Sequence, residues 1–372
     1  MLKRLLCLLL ALGAAFALCA CTPFGQDPAS SSGGVSPAQP DISEPVSQGS
    51  ESASPGAPVS GELKVHFIDV AQGDSAFVEL PGGECMLIDC GERDYVGRVI
   101  SLADCLGYRR IDYILVTHPH TDHMGGMSAV IGSFDIGRIF MPDCVATNSA
   151  FTALLDAVSA KGLKIEIARA GVCIFDKTNL RADLLGPVTL DSESFNNCSA
   201  VLKLRYGNTS FLFAGDAEKE EERELISACG EALESDVVKI GHHGSADSSS
   251  EEFVSAVGAK IGVISCGADN PYGHPDRTVM SRWIDGGTEV LLRTDLEGTV
   301  LAVSDGETVS AAAENTAFDH KWVLNIGGKK IHDPSCEGAK NIQERNRAYS
   351  VRTLAELEAQ GYEPCGTCKP KE

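Results

Sequence analysis

The chain between residues 62 and 313 alternates short apolar runs with longer stretches of helical periodicity. The runs over 63–68 and 75–80 alternate apolar and polar positions, as half-buried strands do, and a Pro-Gly-Gly turn follows the second run. The run over 111–116 is apolar almost throughout and rich in β-branched and aromatic residues, which indicates a buried strand. The pattern predicts one large domain that mixes strands and helices.

The predicted strand over 111–116 leads directly into a seven-residue stretch, 117–123, that holds three imidazoles and one carboxylate. Imidazole and carboxylate together suit Zn²⁺ or Mn²⁺. Seven residues cannot direct four side chains onto one ion without strain, so we predict two adjacent metal ions. His118 and His120 would hold the first ion, and Asp122 and His123 the second. The alternative, a solvated turn without ligands, fits poorly because three of the chain's nine histidines fall here.

The HxHxDH pattern of this stretch resembles the signature of the metallo-β-lactamase superfamily. Five further blocks resemble the extracellular hydrolase domain of ComEC/Rec2-type DNA-uptake proteins, and all six together span about 210 residues from His66 to Pro275. The resemblance implies an α+β fold, a four-layer αββα sandwich over residues 62–313. The five blocks are 66–75, 87–91, 213–216, 239–245 and 270–275.

The resemblance also implies roles for the carboxylates of these blocks. Asp216 is expected to bridge both ions, and Asp122 is expected to be essential for turnover. Asp89 is expected to brace the metal-binding loop by hydrogen bonding rather than to bind an ion. Asp69 is typical of the ComEC-like group and is expected to act from outside the ligand set. Asp74 fits a turn residue better than a polar contact of the site.

The remaining ligands are left open by the resemblance. His242 is favoured as the ligand that completes the second ion's shell, with His243 as general acid or phosphate contact. His274 either protonates a leaving oxygen or is itself that ligand, in which case both other histidines are catalytic. No histidine occurs from 124 to 241, where many family members supply a third ligand for the first ion. Asn197 would give a weak amide ligand there, or lie in a plain turn.

The N-terminal 60 residues predict export and tethering. A basic start and an apolar run to Ala20 are typical of a signal peptide, and the sequence Leu-Cys-Ala-Cys resembles a bacterial lipobox. We therefore predict a lipoprotein signal over 1–21 with Cys21 lipidated; an ordinary signal peptide cleaved nearby is the alternative. Residues 22–60 are rich in Ser, Pro and Gly, which predicts a disordered linker. The protein would then be anchored at the extracellular face of the cell membrane.

Residues 318–372 predict a further metal site. His332, Cys336, Cys365 and Cys368 follow an HxxxC…CxxC pattern, which suits a structural Zn²⁺ in a segment with little core. The segment resembles the zinc-binding module of Ada-type DNA-repair proteins, although His332 stands where Ada carries its methyl-accepting cysteine. That departure argues against alkyl transfer, because a neutral imidazole is not that nucleophile. A disulfide from Cys365 to Cys368 or to Cys336 is the alternative.

The formal net charge of −21 argues against a broad nucleic-acid-binding surface, although two divalent cations can still draw one phosphodiester locally. The resemblances predict a membrane-tethered, two-metal phosphodiesterase or nuclease that acts on DNA or nucleotides. One alternative is a phosphodiesterase for teichoic-acid or phospholipid head groups. Another is a lipid-anchored adaptor that binds DNA for competence without turnover. The expected partners are a phosphodiester substrate, the membrane, a cell-wall polymer or the competence machinery.

Overall fold

The computed structural model describes residues 58–190, 194–314 and 319–371. The predicted signal peptide, Cys21 and residues 22–57 of the predicted linker lie outside the described residues. Among the helices of the described part, none is both long and apolar enough to cross a membrane.

The strands and helices of the described residues are as follows in chain order. The strands are β1 (Leu63–Phe67), β2 (Ala76–Glu79), β3 (Cys85–Ile88), β4 (Arg110–Leu115), β5 (Asp135–Met141), β6 (Ile165–Ile167), β7 (Cys173–Lys177), β8 (Leu180–Leu184), β9 (Leu202–Tyr206), β10 (Thr209–Phe213), β11 (Val237–Lys239), β12 (Ile261–Ile264), β13 (Val290–Arg293), β14 (Val300–Ser304), β15 (Val309–Ala313), β16 (Trp322–Asn325), β17 (Lys330–His332), β18 (Arg347–Ser350) and β19 (Glu363–Pro364). The α-helices are α1 (Val96–Cys105), α2 (Thr121–Met124), α3 (Met127–Ser133), α4 (Ser149–Ala160), α5 (Lys219–Cys229), α6 (Glu251–Val257), α7 (Arg277–Asp285), α8 (Thr294–Glu297), α9 (Glu337–Lys340) and α10 (Leu354–Ala359). Short 3₁₀ turns lie at Asn196–Cys198, Gly230–Leu233, Gly241–Gly244 and Glu344–Asn346.

Two sheets stack face to face and form the inner layers of the sandwich. The first has the strand order β15-β14-β1-β2-β3-β4-β5-β6 and the second the order β13-β12-β11-β10-β9-β8-β7. Apolar side chains fill the space between them; the rings of Phe67 on β1 and Phe213 on β10 lie 5.9 Å apart. Successive side chains of a strand point to opposite faces, so Met86 and Ile88 of β3 join this inner core while Leu87 packs against helices.

Helices cover the outer face of each sheet. α1, α3 and α4 pack on the first sheet through an apolar cluster that includes Val99, Val130 and Leu154. α5 and α7 pack on the second sheet, with Leu225 and Trp283 in the corresponding cluster. The order helix, sheet, sheet, helix confirms the predicted αββα sandwich and its α+β class.

The carboxyl ends of parallel strands gather at one edge of the sandwich. β3, β4 and β5 run parallel in the first sheet, and β10, β11, β12 and β13 run parallel in the second. The segments that leave these strand ends carry the predicted metal-binding residues at 117–123, 214–216 and 241–244, together with Asp89, which is predicted to brace the metal-binding loop. Loops at the carboxyl ends of parallel strands are the usual place for ligand binding in such sheets. The fold therefore brings sequence blocks that are far apart in the chain into one place.

A small sheet formed within residues 319–371, in the order β18-β16-β17-β19, packs on α1. Trp322, Leu324 and Ile331 of this sheet belong to the same apolar cluster as Val99 and Ile100 of α1. The separate cluster inside the module holds four buried residues, so much of the module's apolar surface is covered by the sandwich. The change in composition near residue 318 therefore marks a new module but not a break in the core.

A buried ion pair joins the module to the sandwich. The side chains of Asp104 on α1 and Arg352 are each 2% exposed, and Arg352 Nε donates to Asp104 Oδ2. The other carboxylate oxygen accepts hydrogen bonds from Ser350 Oγ at 2.9 Å and from the Val351 amide at 3.0 Å. One carboxylate thus holds the end of β18 against α1.

We expect Asp104→Ala to lower the free energy of unfolding by about 3–5 kcal/mol, because it leaves the Arg352 guanidinium buried without its partner. Urea unfolding followed by circular dichroism measures this. Asp156→Ala, at an exposed position on α4, is the matched control and should change stability by about 0.5 kcal/mol or less. Equal unfolding midpoints for the two variants would contradict a role for Asp104 in holding the module.

Candidate metal centre

The first cluster of metal-binding side chains consists of His118, His120 and Asp216, whose nearest ligand atoms all lie within 4.8 Å of one another. His118 Nε2 is 2.9 Å from His120 Nδ1 and 3.7 Å from Asp216 Oδ2. Both histidines leave the end of β4, and Asp216 leaves the end of β10. Burial, followed by the proximity of His123, holds the pKa of His118 well below its ordinary value. His118 is therefore a neutral imidazole, the form that binds a metal.

The second cluster consists of Asp74, His123, Asp216 and His243, whose nearest ligand atoms also lie within 4.8 Å of one another, so it shares Asp216 with the first. His123 Nε2 is 3.2 Å and His243 Nε2 is 3.6 Å from Asp216 Oδ2. Asp122 Oδ2 lies 3.2 Å from His243 Nε2 and 3.9 Å from His123 Nε2. The Asp216 carboxylate thus lies between two groups of imidazoles, which is the arrangement that a bridging ligand requires.

Hydrogen bonds fix which ring nitrogen of each central histidine carries its proton. His123 Nδ1 is 2.8 Å from Asp89 Oδ2, and His243 Nδ1 is 3.0 Å from the carbonyl oxygen of Ser265. A carbonyl or carboxylate oxygen only accepts, so both Nδ1 atoms donate. Their Nε2 atoms, which face Asp216, are then the atoms available to a metal. Asp89 is itself held by the Thr117 amide at 2.8 Å and the Thr117 hydroxyl at 2.6 Å.

Two polar atoms in the middle of the centre are buried without a well-formed hydrogen bond: Asp216 Oδ1, and His123 Nε2, which lies 3.2 Å from Asp216 Oδ2. Leaving such groups unsatisfied costs about 1–3 kcal/mol each, and more when they are charged. A divalent cation would satisfy both atoms, and imidazole with carboxylate suits Zn²⁺ or Mn²⁺. The residues present therefore fit a pair of divalent ions.

The charges of the centre also favour the binding of cations. Burial alone would raise the pKa of Asp216, but the neighbouring His123 and His243 hold it well below its ordinary value. Burial lowers the pKa of His123, yet the carboxylates of Asp216, Asp122 and Asp89 outweigh it and raise this pKa well above the usual range. The same balance, with Asp216 and Asp74 as the main anions, raises the pKa of His243 to about 10. In the metal-free chain, the positive charge of the protonated His123 and His243 offsets the negative charge of the buried carboxylates.

We therefore expect Mn²⁺ binding near neutral pH to release about one to two protons per chain, because the ions need the Nε2 lone pairs that protons occupy in the metal-free centre. Since the pKa values of His123 and His243 are raised, the affinity for Mn²⁺ should fall as the pH is lowered. Titration calorimetry in buffers of different ionisation enthalpy measures the release. Mn²⁺ is a suitable titrant because cysteine thiolates bind it poorly. Identical heats in all buffers would contradict the protonation states described above.

Asp74 and Lys239 are two buried residues of the centre that the sequence analysis did not assign to it. Lys239 Nζ is 2.8 Å from Asp74 Oδ2, and Asp74 Oδ1 is 3.1 Å from His243 Nδ1. Asp74, interpreted from the sequence as a turn residue, thus lies behind the imidazole of His243. A lysine inside the otherwise apolar run 237–240 was the available signal, since lysine is almost never fully buried without a partner.

The structure places His243 at the centre and His242 nearer its edge, the reverse of the preferred sequence interpretation. His242 Nε2 is 3.9 Å from Asp216 Oδ2, and its Nδ1 is 3.4 Å from Glu218 Oε1. Both histidines have positive φ, at 49° and 53°, and Gly244 follows at 78°. Such backbone costs about 1–3 kcal/mol for a residue with a side chain and clusters at functional sites. This turn directs consecutive side chains to different parts of the centre.

The structure sets two predicted residues apart from both clusters. Asn197 is buried, but its Oδ1 accepts the backbone N–H of Glu218 at 3.1 Å, so it does not point at the first cluster. The adjacent Asn196 is the amide near the histidines, with Nδ2 at 3.4 Å from His242 Nε2. Asp69 pairs with Arg98 at 2.7 Å on the side that faces the C-terminal module.

An open cavity of about 340 Å³ leads to the centre. Its lining includes His120, Asp122, Asn196, His242 and His274. His274 is half-buried at the rim, and its ring centroid lies 5.7 Å from that of His242 and 6.3 Å from that of His243. Burial, followed by these two histidines, lowers the pKa of His274, so it is a neutral group next to the clusters.

The predicted zinc ligands of the C-terminal module also come together. His332, Cys336, Cys365 and Cys368 offer ligand atoms that lie within 4.8 Å of one another. Cys336 Sγ is 3.6 Å from His332 Nδ1. Hydrogen bonds from the backbone of Cys368 and Thr367 lower the pKa of the Cys365 thiol to about 7. The set fits a tetrahedral zinc site, because zinc binds the thiolate form of cysteine.

Comparisons with known proteins agree with this architecture. Residues 68–268 match the family model described as the metallo-beta-lactamase superfamily. ComE operon protein 3 of Bacillus subtilis (strain 168) is 30% identical over 259 residues, which cover 65% of this chain and 33% of that protein. Competence protein ComA of Neisseria gonorrhoeae is 31% identical over 248 residues, which cover 66% and 33%. This chain thus spans about a third of the length of these curated relatives.

One solved structure that matches the chain is the metallo-beta-lactamase fold protein YhfI from Bacillus subtilis. It is 10% identical, the match covers 68% of this chain and 100% of that chain, and the TM-score is 0.42.

Proposed function

The chain belongs to the metallo-beta-lactamase superfamily, whose members are generally metal-dependent hydrolases, and from this premise we propose that it hydrolyses phosphodiesters with two divalent metal ions. The observation that carries the proposal is the position of Asp216. Its carboxylate is shared by two histidine clusters, so one residue can hold two ions side by side. Two-metal sites of this kind are used for in-line displacement at phosphorus.

Each group of the centre has a distinct task in this proposal. His118, His120, His123 and His243 would hold the ions, with Asp216 between them. When bound, the ions lower the pKa of a water molecule and offset negative charge that develops on phosphorus. His242 and His274 line the cavity beyond the clusters. His242 can deliver a proton to a leaving oxygen, and the neutral His274 can form a hydrogen bond with the substrate. Asp89 and Ser265 keep the two central imidazoles oriented.

The choice of a phosphodiester rests on two further observations. One of the relatives reported above carries the name of a competence protein, and the sequence blocks resemble those of DNA-uptake proteins. Both points favour nucleic acid or nucleotides as substrate. Among the described residues, however, no lysine or arginine lines the cavity, and the formal net charge is −21. We therefore propose a short or single-stranded substrate rather than a duplex held along a basic surface.

We also propose that the protein acts at the outer face of the cell membrane. The supporting observations are the basic and apolar start of the chain and the lipobox-like sequence that ends at Cys21. The competence machinery or a cell-wall polymer would then be within reach. A second candidate substrate, a surface-polymer or phospholipid head-group diester, is favoured by the acidic charge of the chain.

A single assay tests the proposed reaction. The purified chain, loaded with Mn²⁺ or with Zn²⁺, is offered single-stranded DNA, bis-p-nitrophenyl phosphate and the β-lactam nitrocefin. We expect cleavage of both phosphodiesters, inhibition by chelators, and no turnover by Asp122→Ala, while Asp156→Ala keeps the wild-type rate. Turnover of nitrocefin with neither phosphodiester cleaved would refute the proposal. Binding of DNA without cleavage would instead support the alternative function, a lipid-anchored adaptor that binds DNA without turnover.

A further inference from the structure

The loop that follows β12 is held in a fixed shape by one side chain. Asn270 Nδ2 donates to the carbonyl oxygens of Gly267 at 2.9 Å and His274 at 2.6 Å. Its Oδ1 accepts the amides of Tyr272 at 3.2 Å and His274 at 3.1 Å. Four hydrogen bonds to one amide side chain fix the path of residues 267–274. The backbone from which the side chains of this loop project is therefore positioned before any substrate arrives.

Tyr272 is the exposed aromatic residue of this loop. Its side chain is one of the large hydrophobic groups left open to solvent, 69% exposed, although it lines the cavity of the metal centre. Its ring lies 5.7 Å from the ring of His274 with an angle of 24° between their planes. The ring of His274 in turn lies 6.3 Å from that of His243 at 25°. Three rings, each tilted by about 25° from the next, thus lead from solvent to the clustered ligands.

The rest of the cavity offers little else that distinguishes one phosphodiester from another. Apart from Tyr272, the lining is polar, with His120, Asn148 and Asn196 among its members, and no lysine or arginine of the described residues belongs to it. The ions and the histidines would bind the negatively charged phosphate group. Because all phosphodiesters share this group, such binding does not discriminate between them. An exposed ring with one flat face bare can select substrates that carry a flat ring of their own.

We propose that Tyr272 is a specificity-determining residue that stacks on the nucleobase next to the scissile phosphodiester. The inference rests on the proposed function and narrows it to substrates with an unpaired base. Base–aromatic stacking contributes about 1–3 kcal/mol per base and requires a base whose face is free. The cavity, at about 340 Å³, is at the small end of ligand clefts and suits one nucleotide rather than a duplex.

The test compares two substrates that share a phosphodiester and differ only in the base. Thymidylyl-thymidine and its counterpart with two abasic deoxyriboses are hydrolysed by the Mn²⁺-loaded chain, and kcat/KM is measured for each. The wild-type chain should prefer the base-bearing substrate. In Tyr272→Ala the ratio of the two kcat/KM values should fall roughly 5- to 150-fold, the range that corresponds to loss of one stacking contact. Tyr272→Phe, which keeps the ring, should restore the wild-type ratio.

Ile284→Ala is the matched control, because Ile284 is also exposed, at 56%, on the next helix but does not line the cavity. Its substrate ratio should equal that of the wild type. An unchanged ratio in Tyr272→Ala, with both substrates cleaved, would overturn the stacking proposal and leave the proposed function standing. Equal cleavage of both substrates by the wild type would also overturn the stacking proposal and leave the proposed function standing. It would favour a surface-polymer diester as the substrate. Cleavage of neither substrate would overturn both proposals.

Discussion

Replacement of Asp216 by asparagine should abolish metal-dependent turnover, because this carboxylate is the one group common to both clusters. Loss of a residue that merely orients a metal ligand already costs about 10- to 100-fold in affinity or activity. We expect the shared ligand itself to cost at least about 100-fold in kcat. The variant should also bind fewer ions in the sandwich, since the amide brings no negative charge to the four imidazoles, three of which are buried.

The measurement combines steady-state hydrolysis of bis-p-nitrophenyl phosphate with the metal content of the same samples. Asp156→Asn, at an exposed position on α4, is the control and should keep both values. Circular dichroism and the unfolding midpoint show whether Asp216→Asn remains folded. A folded Asp216→Asn variant with the wild-type rate and metal content would show that the bridging position has been misassigned.

Replacement of Cys365 by serine should reduce the zinc content by one ion per chain and unfold the C-terminal module. Structural zinc contributes about 10–16 kcal/mol of apparent binding free energy in small zinc-binding peptides, and the module's own apolar cluster has four buried residues. The module therefore depends on the ion more than the sandwich does. Because Trp322 and Leu324 also cover part of α1, the loss should spread to the sandwich and lower its unfolding midpoint.

Zinc content measures the loss of the ion from Cys365→Ser, and limited proteolysis of residues 319–371 measures the unfolding of the module. Cys229→Ser is the control, since Cys229 is a half-buried thiol on α5 that lies outside the four-ligand set. It should keep all zinc and resist proteolysis like the wild type. If Cys365→Ser kept its zinc and its resistance to protease, the cysteines would serve another purpose, such as a disulfide.

Much of the fold was predictable because apolar periodicity and buried strand runs are local signals. The run over 111–116 indicated β4, and the ligands directly after it had to lie at a strand end. The resemblance added the sandwich and the role of Asp216, which the structure places between both clusters. These features depend on residue type and order, and both can be read directly from the sequence.

The parts that were missed depend on backbone conformation and long-range packing. Two successive positive φ values decide which of His242 and His243 points to the centre. The residue types at these positions do not predict positive φ. Asp74 and Lys239 meet across 165 positions of the chain, so neither the turn pattern nor the strand pattern alone revealed the pair. Asp104 of α1 is buried against Ser350 and Arg352 of the module, a contact that the change in composition near 318 did not predict.

We propose that the sandwich holds two ions between strand ends while the C-terminal module holds a third. Elemental analysis of the purified chain after metal loading and gel filtration measures this stoichiometry. We expect about three divalent ions per chain, of which two remain bound in Cys365→Ser. A single ion per chain, removed entirely by Cys365→Ser, would contradict it.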